Sequence, residues 1–262
     1  MDLWLEGRTV LITGASKGIG AAAAIAFAAE GCHLHLTARS ADELAAVAAK
    51  ARETAKGDVS ITLHPMDLTA PGACAALVEA VGDVDILLNN AGVIPGGDLD
   101  AIDETRWREG WELKVFGYVD MTRLVYRRMR ELGRGVIINN IGNAGERYDA
   151  DYVAGTTGNA ALMAFTRALG GRSLDHGVRI VGVNPGPVDT DRIYKLLKNR
   201  AESWLGDESR WPELQKRYPL GRPAHLREVV DLMLFLASDR SGYTSGAIFT
   251  VDGGITARAS II

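Results

Sequence analysis

The sequence predicts a doubly wound α/β domain, a parallel sheet with helices packed on both faces. Two observations carry that expectation. Apolar runs of strand length alternate with longer runs of helix length along nearly the whole chain, the order that successive βαβ units require. The first strand-like run, residues 9–13, ends in a glycine-rich turn at 14–20 that opens directly into an alanine-rich helix. The chain also carries 30 glycines in 262 residues, an excess useful where backbone turns sharply or approaches a ligand closely.

The elements follow in order. TVLIT (9–13) is apolar and β-branched, as a buried strand requires; residues 18–30 form the first helix and HLHLTA (33–38) the second strand. A helix over 41–55 has Ser40 or Asp42 as its cap. VSITLHP (59–65), a helix over 71–82 and VDILLNN (84–90) continue the alternation. One long helix is expected over 104–132, a strand over 135–141, a helix over 151–170 and a strand over 178–186. Residues 190–220 break the rhythm, with Tyr194, Trp204, Trp211 and Tyr218 set among many charges; they are expected outside the sheet, as a small helical lid over the substrate site. A helix over 225–238 and a strand over 246–254 complete a single domain spanning 1–262.

Composition excludes several classes of function. The formal charge is −4, and Lys and Arg are spread along the chain rather than gathered into a nucleic-acid footprint. Cys32 and Cys74 are expected as buried thiols, not a disulfide framework. The opening residues carry acidic charge and lead straight into a strand, unlike a signal peptide, and no apolar run reaches membrane-spanning length. A soluble cytoplasmic protein is expected. The five histidines pair with no nucleophile, and no His/Cys/Asp/Glu cluster has metal-ligand spacing.

Chemistry enters at the first turn. Gly14, Ser16, Lys17, Gly18, Ile19 and Gly20 lie where the first strand becomes the first helix. There glycines permit a tight turn and close approach to a pyrophosphate, while helix N–H groups face the negative charge. Residues 13–20 resemble the cofactor turn of the short-chain dehydrogenase/reductase family, a Rossmann-like fold. Asn89, Asn90, Ala91 and Gly92 resemble its second glycine motif, and Asp67, followed by Leu68, matches the acidic residue used near adenine. Residues 184–190, with Pro185, Gly186, Val188 and Thr190, resemble the segment over the nicotinamide; 245–254 resemble the last strand. The resemblance covers essentially the whole chain. It implies a dinucleotide cofactor and a homodimer or homotetramer, assembled through 104–132 and 151–170 at one interface and 225–254 at another.

Charge selects the cofactor. The second strand ends in Thr37, Ala38 and Arg39, with no acid before Asp42. An acid there would receive the ribose of NAD, whereas a 2′-phosphate needs positive partners; Arg39 and Lys17 therefore point to NADP.

The catalytic end departs from the family. Its usual Tyr and Lys, four residues apart on one helix, fall on Gly155 and Asn159; its Ser falls on Gly142 and its Asn on Lys114. Glycines supply no proton, and Asn159 can hydrogen-bond a ribose hydroxyl but carries no charge. Tyr152, Gly155, Thr156 and Asn159 share one helix face, and glycine at 155 leaves room for Tyr152. Tyr152 is the candidate acid/base, Lys114 its electrostatic partner and Asn159 a ribose ligand. Asn143 and Tyr148 border the substrate side with Gly142 and Gly155. Tyr148 is an alternative acid/base, and Asp149 or Asp151 is expected to cap the following helix. The first functional reading is an NADP-dependent oxidoreductase acting on a small or medium, partly apolar carbonyl or alcohol. Its alternatives are a non-redox lyase or isomerase and an inactive NADP-binding sensor.

Overall fold

The structure is a computed structural model and describes residues 2–258. Strands β1 (Thr9–Thr13), β2 (His33–Ala38), β3 (Ile61–Pro65), β4 (Ile86–Asn89), β5 (Gly135–Asn140), β6 (Val178–Pro185) and β7 (Ile248–Val251) form one sheet in the order β3-β2-β1-β4-β5-β6-β7. Every pairing is parallel. The helices are α1 (Gly18–Ala29), α2 (Ala41–Thr54), α3 (Ala73–Val81), α4 (Glu104–Trp111), α5 (Gly117–Leu132), α6 (Val153–Ser173), α7 (Asp191–Leu205), α8 (Trp211–Gln215) and α9 (Leu226–Ala237). The doubly wound fold expected from the sequence is the one observed.

Strand side chains alternate between the faces, and both faces are covered. Val10, Ile12, Ile86, Leu88, Val136 and Ile138 pack with Phe27, Leu44, Val229 and Met233 from α1, α2 and α9. Leu11, Leu87, Ile137 and Ile180 pack with Leu77, Val78, Met121 and Val125 from α3 and α5. Cys32 and Cys74 are buried free thiols within these cores. The chain lays β2 and β3 to one side of β1, then crosses back to place β4 on the other. At such a reversal the connections after the two strands diverge and leave a crevice at their carboxyl ends.

A buried polar ladder runs through the second half. Asn89 Nδ2 donates to Asn139 Oδ1 (2.9 Å) and to Thr122 Oγ1 (3.0 Å). Asn139 Nδ2 donates to Thr166 Oγ1 (2.9 Å), whose hydroxyl donates to the Leu162 carbonyl. The four side chains are shut off from water, so this ladder fixes α5 and α6 against β4 and β5 through bonds that apolar packing cannot supply.

Two local expectations are corrected. The long helix over 104–132 is interrupted by a π-helical turn, Glu112–Phe116, whose extra residue turns Lys114 inward toward the end of β5. Neither Asp149 nor Asp151 caps α6: its N-cap is Tyr152, without a side-chain cap bond. The Asp149 carboxylate is instead paired with Arg200 (2.9 Å), and Asp151 is exposed. The aromatic residues of 190–220 largely serve that segment's own core, in which Tyr194 stands edge-on to Trp211 beside Ile193, Leu197 and Leu214. Ser40 does cap α2, accepting from Glu43 N.

Asn139→Ala removes the centre of the ladder, leaving the Asn89 amide only its bond to Thr122 and the Thr166 hydroxyl only its bond to the Leu162 carbonyl. Each hydrogen bond lost contributes about 0.5–1.5 kcal/mol, so the urea midpoint should fall below that of the native chain. An unchanged midpoint would show that the ladder contributes nothing to α5 and α6.

Candidate active site

The crevice after β1 and β4 is built by the two glycine motifs together. Thr13 Oγ1 accepts from Asn90 N (2.9 Å) and Ala91 N (3.0 Å), while Asn90 Nδ2 donates to the carbonyls of Thr13 and Gly14 (3.1 and 3.0 Å). Gly14 has φ +65°, and a Cβ there would lie 2.7 Å from Ala91 Cα. A Cβ on Gly20 would collide with the Gly14 carbonyl and the Asn90 amide, so only glycine lets α1 start this close to the turn. Lys17 is the N-cap of α1 and makes no side-chain cap bond. The first N–H groups of α1 are therefore available to an anion.

The remaining cofactor-side residues surround this turn. Thr190 brings its methyl group to within 3.3 Å of a Cβ placed on Gly18. Gly186 N donates to the Val251 carbonyl, and Val188 is buried beneath that connection. Ser16, Ile19, Leu68 and Pro185 are buried or half-buried at the same end of the sheet, and Asp67 is exposed. Hydrogen bonds from Thr69 hold the Asp67 carboxyl below the usual carboxylate range, with Arg39 a smaller contributor. Arg39 is exposed and makes no ion pair among the described residues. Lys17 is committed to Glu43 (2.7 Å), although an exposed pair of this kind contributes little and is readily exchanged.

A hydrogen-bonded chain links the turn to the catalytic end. Asn140 Nδ2 donates to Asn90 Oδ1 (2.8 Å), and the Asn140 carbonyl accepts from both Lys114 Nζ (2.6 Å) and Tyr118 Oη (2.8 Å). Lys114 Nζ also donates to Tyr118 Oη (2.9 Å). The lysine is only 9% exposed, and its stem crosses Gly92, where a Cβ would strike it. Burial, with Arg192 second, lowers the Lys114 amine to about 7. Burial likewise pushes the Tyr118 phenol well above its ordinary value. Tyr118 escaped the sequence reading, although its position one turn beyond Lys114 was a usable signal.

Tyr152 lies flat on Gly155, so close that any side chain at 155 would overlap its ring. Its hydroxyl accepts from Arg192 Nη2 (3.1 Å), a residue of α7 that was not foreseen. Ile94, Trp107 and Trp111 form an apolar wall beside it. Asn159 is buried and faces Gly142, with Nδ2 3.0 Å from a Cβ placed there. The structure thus brings Tyr152, Gly155, Asn159 and Gly142 together but joins Tyr152 to Arg192 and Lys114 to Tyr118; no hydrogen bond links Tyr152 to Lys114. Tyr148 is 80% exposed. Asn143 is half-buried and tied to Asp252 (3.2 Å) and Thr256 (3.4 Å). Among the described residues no group of three His, Cys, Asp or Glu side chains could hold a metal ion, and no helix is long and apolar enough to cross a membrane.

Residues 8–201 match the family described as short chain dehydrogenase. The chain belongs to that family. It is 34% identical over 253 residues to 2-keto-3-deoxy-L-fuconate dehydrogenase of Xanthomonas campestris pv. campestris, covering 95% of this chain and 80% of that one. Galactitol 2-dehydrogenase (L-tagatose-forming) of Cereibacter sphaeroides is 33% identical, with 96% of each chain covered. Among solved structures, L-sorbose reductase from Gluconobacter frateurii, complexed with NADPH and L-sorbose, superposes with a TM-score of 0.89 at 31% identity, covering 99% of this chain and 100% of that one. Family membership makes the four replacements a property of this chain: Gly142, Gly155, Asn159 and Lys114 stand where the resemblance expects Ser, Tyr, Lys and Asn.

The lowered Lys114 value fixes the sign of a pH effect. The unfolded chain holds this proton up to about 10.5, so folding becomes more favourable as pH rises from about 7 and less so as it falls back. A Lys114→Met variant lacks this slope. The stability of the native chain relative to the variant should rise by roughly 2 kcal/mol between about pH 7 and about pH 9, read from urea denaturation across that range. Parallel profiles would mean that Lys114 keeps its ordinary value.

Proposed function

We propose that this protein is an NADP-dependent oxidoreductase that moves a hydride between the nicotinamide and a small or medium, partly apolar carbonyl or alcohol, with the Tyr152 hydroxyl as acid/base. The observation that carries the reading is the Tyr152 ring seated on Gly155: a phenol reaches, from one turn earlier, the place where the family resemblance expects one. NADPH is the cofactor held by L-sorbose reductase, and the residues here suit such a group. The glycine cradle leaves no room for side chains, the start of α1 is open to a pyrophosphate, and Asn140 Oδ1 and Asn184 Oδ1 are buried without partners. Bound there, the cofactor supplies the hydride.

The chain's own residues hold and direct the rest. Asn90 and Thr13 fix the turn, Arg39 offers a free cation to the 2′-phosphate, and Asn159 offers its amide to the ribose. Because Arg192 donates to the Tyr152 oxygen, the hydroxyl proton points away from the guanidinium and is free for the substrate oxygen. Once that proton has left, the same charge-assisted bond stabilises the anion. Lys114, held by Tyr118 and the Asn140 carbonyl, is the buried amine that would add positive potential at this end of the site. Residues 190–220 form the lid of this single domain and deliver Arg192. The homodimer or homotetramer implied by the family belongs to the same reading, and exposed Phe116 and Leu132 on the long helical run suit such an interface.

NADPH should bind more tightly than NADH, with Arg39 contributing directly because it makes no ion pair among the described residues and Lys17 able to join it by exchanging its exposed Glu43 partner. Hydrogen bonds to charged groups are worth about 1.5–3 kcal/mol, so Arg39→Ala should cost about tenfold or more in NADPH affinity and leave NADH unchanged in fluorescence titrations. Equal affinities in the native chain would reject the assignment.

Tyr152→Phe should lower turnover about 10²–10⁴-fold without weakening NADPH binding. Gly155→Tyr should bring no gain, since the new side chain overlaps the Tyr152 ring. Assays of NADPH oxidation over a panel of ketoses and keto acids check both. Full activity in Tyr152→Phe would move the proton transfer elsewhere.

A further inference from the structure

No acid ends β2, yet a carboxylate reaches the cofactor turn from the first turn of α2. Ser40 caps α2 by accepting from Glu43 N (3.3 Å). Ser40-Ala41-Asp42-Glu43 has the spacing of a capping box, in which the glutamate would accept in return from the N–H of the cap residue. Among the described residues Glu43 makes no such return bond. Its carboxylate crosses instead to α1, where Oε1 lies 2.7 Å from Lys17 Nζ. Lys17 is the N-cap of α1, in the turn whose Ala15 N–H donates to the Thr37 carbonyl near the end of β2 (3.1 Å). Leu44 and Val47 of α2 share one core cluster with Ala23 and Phe27 of α1, and this packing holds position 43 within reach of position 17. The other acids nearby do not take this place. Asp42 is exposed and pairs with no cation among the described residues, and Asp191, a lesser influence on Lys17, forms no ion pair with it.

We propose, resting on the NADP reading above, that Glu43 limits the preference for NADP by occupying Lys17 until the 2′-phosphate displaces it. Arg39 makes no ion pair and gives up nothing when that phosphate arrives; Lys17 must first release a carboxylate. The side chains of Lys17 and Glu43 are 69% and 38% exposed, so the exchange needs no change of fold. A phosphate monoester carries about −1.5 to −2 charges near neutral pH. Its arrival therefore breaks one ion pair and leaves Glu43 as a second anion near the first. Both effects lower the affinity for NADP, whereas NAD leaves the pair closed. A pair that only tied α1 to α2 would act on stability and would leave the ratio of the two cofactor affinities alone.

Glu43→Gln tests this, since it keeps the side-chain length and the Ser40 cap while removing the charge. In fluorescence titrations the variant should bind NADPH about 3- to 10-fold more tightly than the native chain, with NADH affinity unchanged. Lys17→Met should cost more NADPH affinity in the Glu43→Gln background than in the native chain, because only there is the amine free beforehand. The competition is overturned if Glu43→Gln leaves NADPH affinity as it was, or moves both cofactors by the same factor. It is equally overturned if the whole gain persists when Lys17→Met is also present. The same titrations separate the competition from the NADP reading. A native preference for NADPH that Glu43→Gln does not increase would keep the cofactor assignment and defeat the competition. Equal native affinities, with NADPH alone tightened in Glu43→Gln, would keep the competition and defeat the native preference.

Discussion

The arrangement depends on one backbone carbonyl. Asn140 O, at the last position of β5, accepts from a buried lysine and a buried tyrosine at once, while the side chain of the same residue reaches across to Asn90. Because Asn90 also holds the Thr13–Gly14 turn, the cofactor end and the catalytic end form one hydrogen-bonded unit rather than two adjacent sites. In a buried network each missing partner costs the desolvation of those that remain, so the strand end, the glycine turn and the lysine are constrained to move together.

The site is also divided between rigid and looser parts. Asn140, Lys114 and Tyr118 stand on the sheet and on helices clamped by the polar ladder of Asn89, Asn139, Thr122 and Thr166. Arg192 stands on α7, whose apolar contacts are largely with its own segment. The cation that touches Tyr152 is thus carried by the part of the molecule least fixed to the sheet, while the second cation is immobilised.

Much of the fold was legible in the sequence, because burial on both faces turns each strand into a continuous apolar run and the glycine turn marks where the first one ends. Element ends were less legible. Gly72 and Gly82, with φ +78° and +76°, trim α3 to Ala73–Val81, and the strand expected over 246–254 shortens to Ile248–Val251 for a similar reason. Helical spacing pointed Tyr152 toward Gly155, but Tyr152 is the N-cap of α6 with non-helical backbone (φ −144°, ψ 42°), so it meets Gly155 from outside the helix. Arg192 could not be read at all, since its role depends on how a segment outside the sheet folds back over it. The acids at 149 and 151 looked like helix caps because local sequence does not show the distant Arg200 that claims one of them.

The π-helical turn at 112–116 has a consequence for how such a site arises. An ordinary α-helix advances about 100° per residue, so one residue more or less in this stretch rotates everything on one side of it by that amount relative to the other. Upstream lies Trp111, whose indole bonds the Ala154 carbonyl at the head of α6 (3.0 Å); downstream lies Tyr118, bonded to Asn140. Both anchors can be met at once only while the turn stays wide. Loss of a single codon here would leave the sheet, the glycine turn and nearly every apolar contact intact, yet put the two anchors out of phase. The lysine is therefore held in place by the wide turn as much as by its own identity, and side-chain substitution alone in a regular helix would not recreate it.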